Sequence, residues 1–221
     1  MTSLSQSSAS RRTLATRNTR WARALAEFLA GVGLRPNVVS LAGVAFAAVS
    51  AAAFFLSAAY ARDVRAALLI GAAVCIQLRL LCNLLDGMLA VECGLKGPTG
   101  DIFNDLPDRI ADVMILVGAG YAARELPAAP ILGWAAAVAA LSTAYVRLLG
   151  GSLGLTQHFI GPMAKQHRMF TLTVATLGAT VEALVGASPR GIPAGLAVIL
   201  AGSVLTAVRR TRRILVEAGT R

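Results

Sequence analysis

Asn83-Leu84-Leu85-Asp86-Gly87-Met88-Leu89-Ala90-Val91, followed eight residues later by Gly100-Asp101-Ile102-Phe103-Asn104-Asp105-Leu106-Pro107-Asp108-Arg109-Ile110-Ala111-Asp112, is the stretch on which the reading of this chain turns. It places carboxylates and carboxamides in two segments that are otherwise apolar. Of the 11 Asp and Glu residues in the chain, Asp86, Glu92, Asp101, Asp105, Asp108 and Asp112 all fall here. A lone carboxylate at the middle of a bilayer costs about 2.5–3.5 kcal/mol on insertion scales. The cluster therefore requires compensation by cations, water or metal. Capping and interfacial acids would account for Asp101 and Glu92. They do not account for Asp108 and Asp112 as well.

The surrounding composition says why such a cost arises. The 221 residues are 56% hydrophobic and only 14% charged, with a mean hydropathy of +0.67. Soluble domains carry roughly 25% charged residues, so a soluble nucleic-acid binder is excluded despite a net charge of +10. Six apolar runs, about 38–60, 64–90, 102–122, 128–149, 169–187 and 192–208, are each long enough to cross ~30 Å of hydrocarbon as a helix. Turn or charge signals separate them, among them Arg62-Asp63, Lys96-Gly97-Pro98 and Gly150-Gly151. Upstream, Trp21, Leu25, Phe28 and Leu29 recur at helical spacing with Arg20, Arg23 and Glu27 elsewhere on the wheel. That pattern suits a helix lying in a membrane interface, or an ordinary lead into the first span. The fold class expected is all-α integral membrane. Its parts are a disordered basic N-terminus (1–19), an amphipathic interfacial helix (20–35), a six-helix membrane domain (37–213) and a short C-terminal tail (214–221). Cys75, Cys82 and Cys93 form no CxxC pair and indicate neither a disulfide framework nor a thiolate metal site.

Cation placement sets orientation. With six spans, the side bearing both termini would hold Arg11, Arg12, Arg17, Arg20, Arg23, Arg35, Lys96, Lys165, Arg168, Arg209, Arg210, Arg212, Arg213 and Arg221, against Arg62, Arg65, Arg124 and Arg190 opposite. The termini, and the acid cluster with them, are expected in the cytoplasm. The surplus of positive charge is thus largely topology, and the minority charge carries the chemistry.

Spacing sharpens the cluster. Asn83 and Asp86 stand at i, i+3, Asn104 and Asp108 at i, i+4, and Asp101, Asp105, Asp108 and Asp112 step by 4, 3 and 4. Each interval keeps side chains on one helical stripe. Two antiparallel helices joined by a short connection would point these oxygens at one another. Hard oxygen donors with little sulfur or imidazole favour Mg²⁺ or Mn²⁺, with Ca²⁺ also admissible. Pro107 frees the carbonyl of Phe103 from its helical hydrogen bond.

These residues resemble the signature of the CDP-alcohol phosphotransferases, D-x2-D-G-x2-A-R-x8-G-x3-D-x3-D. Asp86, Gly87, Ala90, Gly100 and Asp108 match at the family spacing, and Pro36-Asn37 agrees with the rest. Asn83 and Asn104 stand where the family has its first and third acids, and Val91 where it has arginine. In this the chain resembles a variant branch of the family. The resemblance implies a six-helix membrane homodimer acting on a CDP-linked lipid such as CDP-diacylglycerol. The reaction implied moves a substituted phosphate to an acceptor alcohol and releases CMP, in phospholipid synthesis. It implies a divalent-metal site built on Asn83, Asp86, Asn104 and Asp108, with Asp108 also the catalytic base. Two amides in place of carboxylates remove two negative charges, which Asp105 and Asp112 are positioned to restore. Gly87, Ala90 and Gly100 would cradle the CDP moiety. Lys165 and Arg168 would bind a phosphate, or would simply flank a span on the cation-rich side. Arg109 is expected to pair with a neighbouring acid and Arg147 to reach the loop at the end of the fourth run. Arg79 and Glu182, inside spans, either serve the function or pair within the bundle, and His158 and His167 are expected to be interfacial. Two other readings remain: a relative that binds nucleotide or metal without turnover, and a small transporter whose acids line an ion path.

Overall fold

A computed structural model of the chain describes residues 19–95 and 97–220, with every side chain among them except that of Asp101. Among the described residues seven helices follow one another: α1 (Arg20–Gly31), α2 (Pro36–Ser57), α3 (Arg62–Val91), α4 (Gly100–Ala122), α5 (Ala128–Ser152), α6 (Lys165–Val185) and α7 (Gly191–Gly219). No strand occurs among the described residues. By length and composition α2, α3, α5, α6 and α7 can each cross a membrane. At 23 residues α4 is longer than α2 and α6, but the charges of its first half separate it from that set. The expected disordered N-terminus lies outside the described residues apart from Thr19.

The six long helices share one core. Ala47 and Phe54 of α2, Leu69 and Ile76 of α3, Ile115 and Leu116 of α4, Ala136 and Ala140 of α5, Met169 and Leu172 of α6, and Leu196 and Ile199 of α7 meet in a single buried cluster. Much of it is alanine, because helices of this composition associate by close backbone approach rather than by large side chains. The crossing of α4 and α5 is one such case. A Cβ on Gly120 would stand 2.7 Å from the Ala129 carbonyl oxygen, and one on Gly133 would stand 2.9 Å from that of Leu116. The outward faces are apolar too. Ile131 is 70% exposed, Phe170 69% and Val185 72%, an arrangement that water would penalise and lipid would not.

α1 forms a second, smaller cluster. Its Ala22 and Ala26 pack on Val39 of α2 and on Leu85, Met88 and Leu89 at the end of α3. Trp21 and Phe28 stay exposed on the other side. α1 is thereby seated beside the acid-bearing end of α3.

Two boundaries differ from expectation. Residues 214–219, read as a tail, continue α7 as helix. The reason is tertiary: Ile214 is buried against Gly150. Glu217 also accepts hydrogen bonds from the Thr156 N–H at 3.0 Å and from the Thr156 hydroxyl at 3.0 Å, and lies 2.7 Å from His158 Nε2. At the start of α6, Lys165-Gln166-His167-Arg168 is helical although hydropathy places the run later. Inside the bundle, Glu182 takes the Gly191 N–H at the start of α7, at 3.0 and 3.1 Å. It is a helix cap from a neighbouring helix.

Candidate active site

α3 ends at Val91 and α4 begins at Gly100, so a short connection returns the chain and the two polar stripes face each other. Asn83 Nδ2 donates to Asp108 Oδ2 at 3.2 Å. From α2, Ser40 Oγ donates to Asp86 Oδ2 at 2.7 Å. From α6, the Lys165 ammonium donates to Asp108 Oδ2 at 2.5 Å and also to Asn83 Oδ1. Four helices thus converge on one point.

A cavity of about 530 Å³ opens over it, within the range typical of small-molecule sites. Asn83, Asp86, Gly87, Ala90, Gly100, Asn104, Asp105, Asp108, Lys165 and Arg168, ten of the eleven residues singled out from the sequence, line this one cavity. Val91 lines it as well.

Asp112 does not line it, and its expected part as a metal ligand needs correction. Its Oδ1 accepts from Arg79 Nη2 at 2.7 Å and its Oδ2 from Arg168 Nη2 at 2.8 Å, with all three side chains at most 2% exposed. Both carboxylate oxygens are spent on guanidinium groups. Arg168 also donates to the Met163 carbonyl at 3.1 Å and to Thr143 Oγ1 at 3.3 Å. It borders the cavity, yet its hydrogen-bonding is directed into the wall. Arg79 Nη2 in turn reaches the Asp108 carbonyl at 3.0 Å and Asp108 Oδ1 at 3.3 Å. A continuous chain of opposite charges, Arg168–Asp112–Arg79–Asp108–Lys165, therefore runs from the core to the cavity. Buried charges persist only when paired in this way.

Asp105 is also engaged. It pairs with Arg109 at 2.8 Å and with Arg147 at 2.9 Å, and the Arg147 guanidinium stacks 5.3 Å over the Phe159 ring. Ser40, Arg109, Arg147, Gln157, Phe159 and Arg210 line the cavity as well. Sequence reading did not assign Ser40, Gln157, Phe159 or Arg210 to the site. Ser40 stands one helical turn beyond Pro36, the one local signal that pointed toward it.

The donor set tests how many hard cations the site suits. In favour, Asp86 Oδ1 is buried without a hydrogen-bond partner, the condition of an oxygen awaiting a cation or water. Against, the Asp108 carboxylate is already held by Lys165, Asn83 and Arg79. Among the described residues no group of three or more His, Cys, Asp or Glu side chains is gathered as a metal centre. The residues fit one divalent ion beside Asp86. They do not fit two.

No protein-family model matches the sequence, and no curated protein matches it. The fold is similar to that of crystal structures of the Mycobacterium tuberculosis phosphatidylinositol phosphate synthase. The structure with CDP-DAG bound superposes with a TM-score of 0.74 at 22% identity, covering 89% of this chain and 94% of that one. The complex with manganese and citrate gives 0.73 at 21%, covering 88% of each. The apo form gives 0.72 at 21%, covering 89% and 97%. The likeness extends over nearly the whole of both molecules, so the helical bundle is the same architecture and not a shared fragment.

Proposed function

We propose that the chain is a membrane-embedded CDP-alcohol phosphotransferase. It takes a substituted phosphate from a CDP-linked lipid such as CDP-diacylglycerol, transfers it to the hydroxyl of an acceptor alcohol and releases CMP. The observation that carries this reading is convergence: motif residues from α3 and α4 meet at fixed spacing at the mouth of one cavity. The bundle around that cavity is shared with a synthase whose structure holds CDP-DAG. In this proposal α2 to α7 are six spans, α1 lies in the interface, and the basic termini and the cavity face the cytoplasm. Helix length agrees. A span starting near Val64 would use the ~20 residues of the hydrocarbon crossing by about Asn83, leaving Asp86 at the headgroup level where a soluble diphosphate meets a lipid.

The residues divide the chemistry among them. Gly87, Ala90 and Gly100 leave room for the nucleotide to approach the backbone. Lys165, Arg147 and Arg210 present positive charge to the diphosphate. Asp86, with the amide oxygen of Asn104, would hold a single Mg²⁺ or Mn²⁺, which when bound offsets phosphate charge and steadies the departing CMP. Asp108 takes the proton of the acceptor hydroxyl. The freed oxygen forms a bond to the phosphorus bearing the lipid, and the bond from that phosphorus to the CMP oxygen breaks, with its electron pair leaving on CMP. Ser40 and Arg79 hold Asp86 and Asp108 in place. The protein works as a homodimer in phospholipid synthesis under this reading.

The test is CMP release by the purified protein in detergent with CDP-diacylglycerol and a panel of acceptors: glycerol phosphate, inositol, inositol phosphate and serine. Release should require one of these alcohols, and Asp108→Asn should lower it by about 10²–10⁴-fold, the usual worth of a positioned base. Absence of release with every acceptor, alongside retained nucleotide binding, would point to a relative that binds without turnover.

A further inference from the structure

The charges around the cavity bear on how a diphosphate would be held there. Among the described residues, the lining carries five cationic side chains (Arg109, Arg147, Lys165, Arg168 and Arg210) and three carboxylates (Asp86, Asp105 and Asp108). The wall behind adds the Arg79–Asp112 pair, which cancels. A site prepared for two divalent ions needs an excess of negative charge, and this one has an excess of positive charge.

Geometry says where the compensation comes from. The Lys165 ammonium sits between Asn83 Oδ1 and Asp108 Oδ2, bridging an oxygen of α3 and an oxygen of α4. A small hard cation linking the two helices would occupy just such a position. With an amide at residue 83, an ammonium is the better-matched occupant: one charge, three N–H donors and no demand for a second carboxylate. Its side chain is only 17% exposed, so solvent screens the arrangement weakly.

We infer that Lys165 serves as a fixed counter-cation in the place of a divalent ion, so that the site engages its diphosphate through protein cations and takes at most one divalent ion. The identity of the ligand as a CDP diphosphate rests on the function proposed above. The ion stoichiometry does not rest on it.

The experiment is Mn²⁺ titration of the purified full-length protein, followed by the electron paramagnetic resonance signal of free Mn²⁺, with isothermal titration of CDP in parallel. Wild type should bind no more than one Mn²⁺ per chain. Asn83→Asp combined with Lys165→Met, which restores a carboxylate and removes the ammonium, should bind one more. In EDTA, Lys165→Met should weaken CDP binding by about tenfold, the scale of one charge-assisted hydrogen bond. Two tightly bound Mn²⁺ in wild type would overturn the inference whatever the variants do. So would a folded double variant, judged by its elution profile and Tm, with unchanged stoichiometry. Should the double variant not fold, wild-type stoichiometry and the single Lys165→Met variant decide alone. Failure of CMP release with at most one Mn²⁺ bound would strike the proposed function and leave this inference standing. Release accompanied by two bound ions would do the reverse.

Discussion

Asp105 and Asp112 show how two acids seven residues apart on one helix can serve different ends. Both lie on the polar stripe of α4, yet Asp112 sits at 2% exposure between two guanidinium groups, whereas Asp105 sits at 31% exposure beside Arg109 and Arg147. Removing one member of a buried ionic set leaves the remaining charges without compensation, at a cost of about 3–5 kcal/mol. Asp112→Asn should therefore lower the detergent-solubilised Tm sharply. Asp105→Asn breaks pairs that solvent reaches and should cost no more than about 1 kcal/mol, with any loss appearing in CMP release. Equal thermal shifts for the two variants would contradict this division. The stripe itself was legible from spacing. That Asp112 spends its oxygens on Arg79 and Arg168 was not, because those partners lie 33 and 56 positions away. Sequence periodicity reports which face a side chain occupies, and it carries no information about which distant helix covers that face.

At the scale of helices, the order of elements follows from hydropathy and breaks, but several ends are set by tertiary contact. α6 starts at Lys165, inside a polar tetrapeptide, because Arg168 is anchored to Asp112 of α4. α7 runs on to Gly219 because Ile214 packs on Gly150 of α5 and Glu217 finds partners on the connection between α5 and α6. Hydropathy alone starts one run after Arg168 and ends the other before the arginines at 209–213. The α4–α5 crossing offers a direct test of close packing. Gly133→Val would force a β-branched side chain against the Leu116 carbonyl and the Gly120 backbone, and overpacking of this kind costs about 1–3 kcal/mol. A lower Tm is expected. Gly178→Val is the control, since a Cβ at Gly178 meets nothing within 4 Å, and it should leave Tm nearly unchanged. α1 makes a second case. Its buried Ala22 and Ala26 hold it on Met88 and Leu89, next to Asp86. Ala26→Leu should dislodge it and reduce CMP release more than it reduces Tm, because the long helices keep their own core.

The whole molecule is a bundle whose outer surface is apolar and whose charged interior opens at one end. Placement of cations along the chain predicts that end to be cytoplasmic. In a variant lacking Cys75, Cys82 and Cys93, a cysteine introduced at Arg212 should react with a membrane-impermeant maleimide in inverted vesicles and not in intact cells. Labelling from the outside would reverse the topology. By itself the sequence determined the all-helical class, the order of the apolar runs and the junction where the acids gather. These depend on composition and on spacing within single helices, both of which are local. Only the tertiary structure decided which acids face the cavity and which are consumed in the wall. It brought Ser40, Arg147 and Phe159 to the rim and set the Lys165 ammonium between Asn83 and Asp108. Charge compensation acts through space over a few ångströms, so the partners of a buried ion are chosen by how helices pack and not by their distance along the chain.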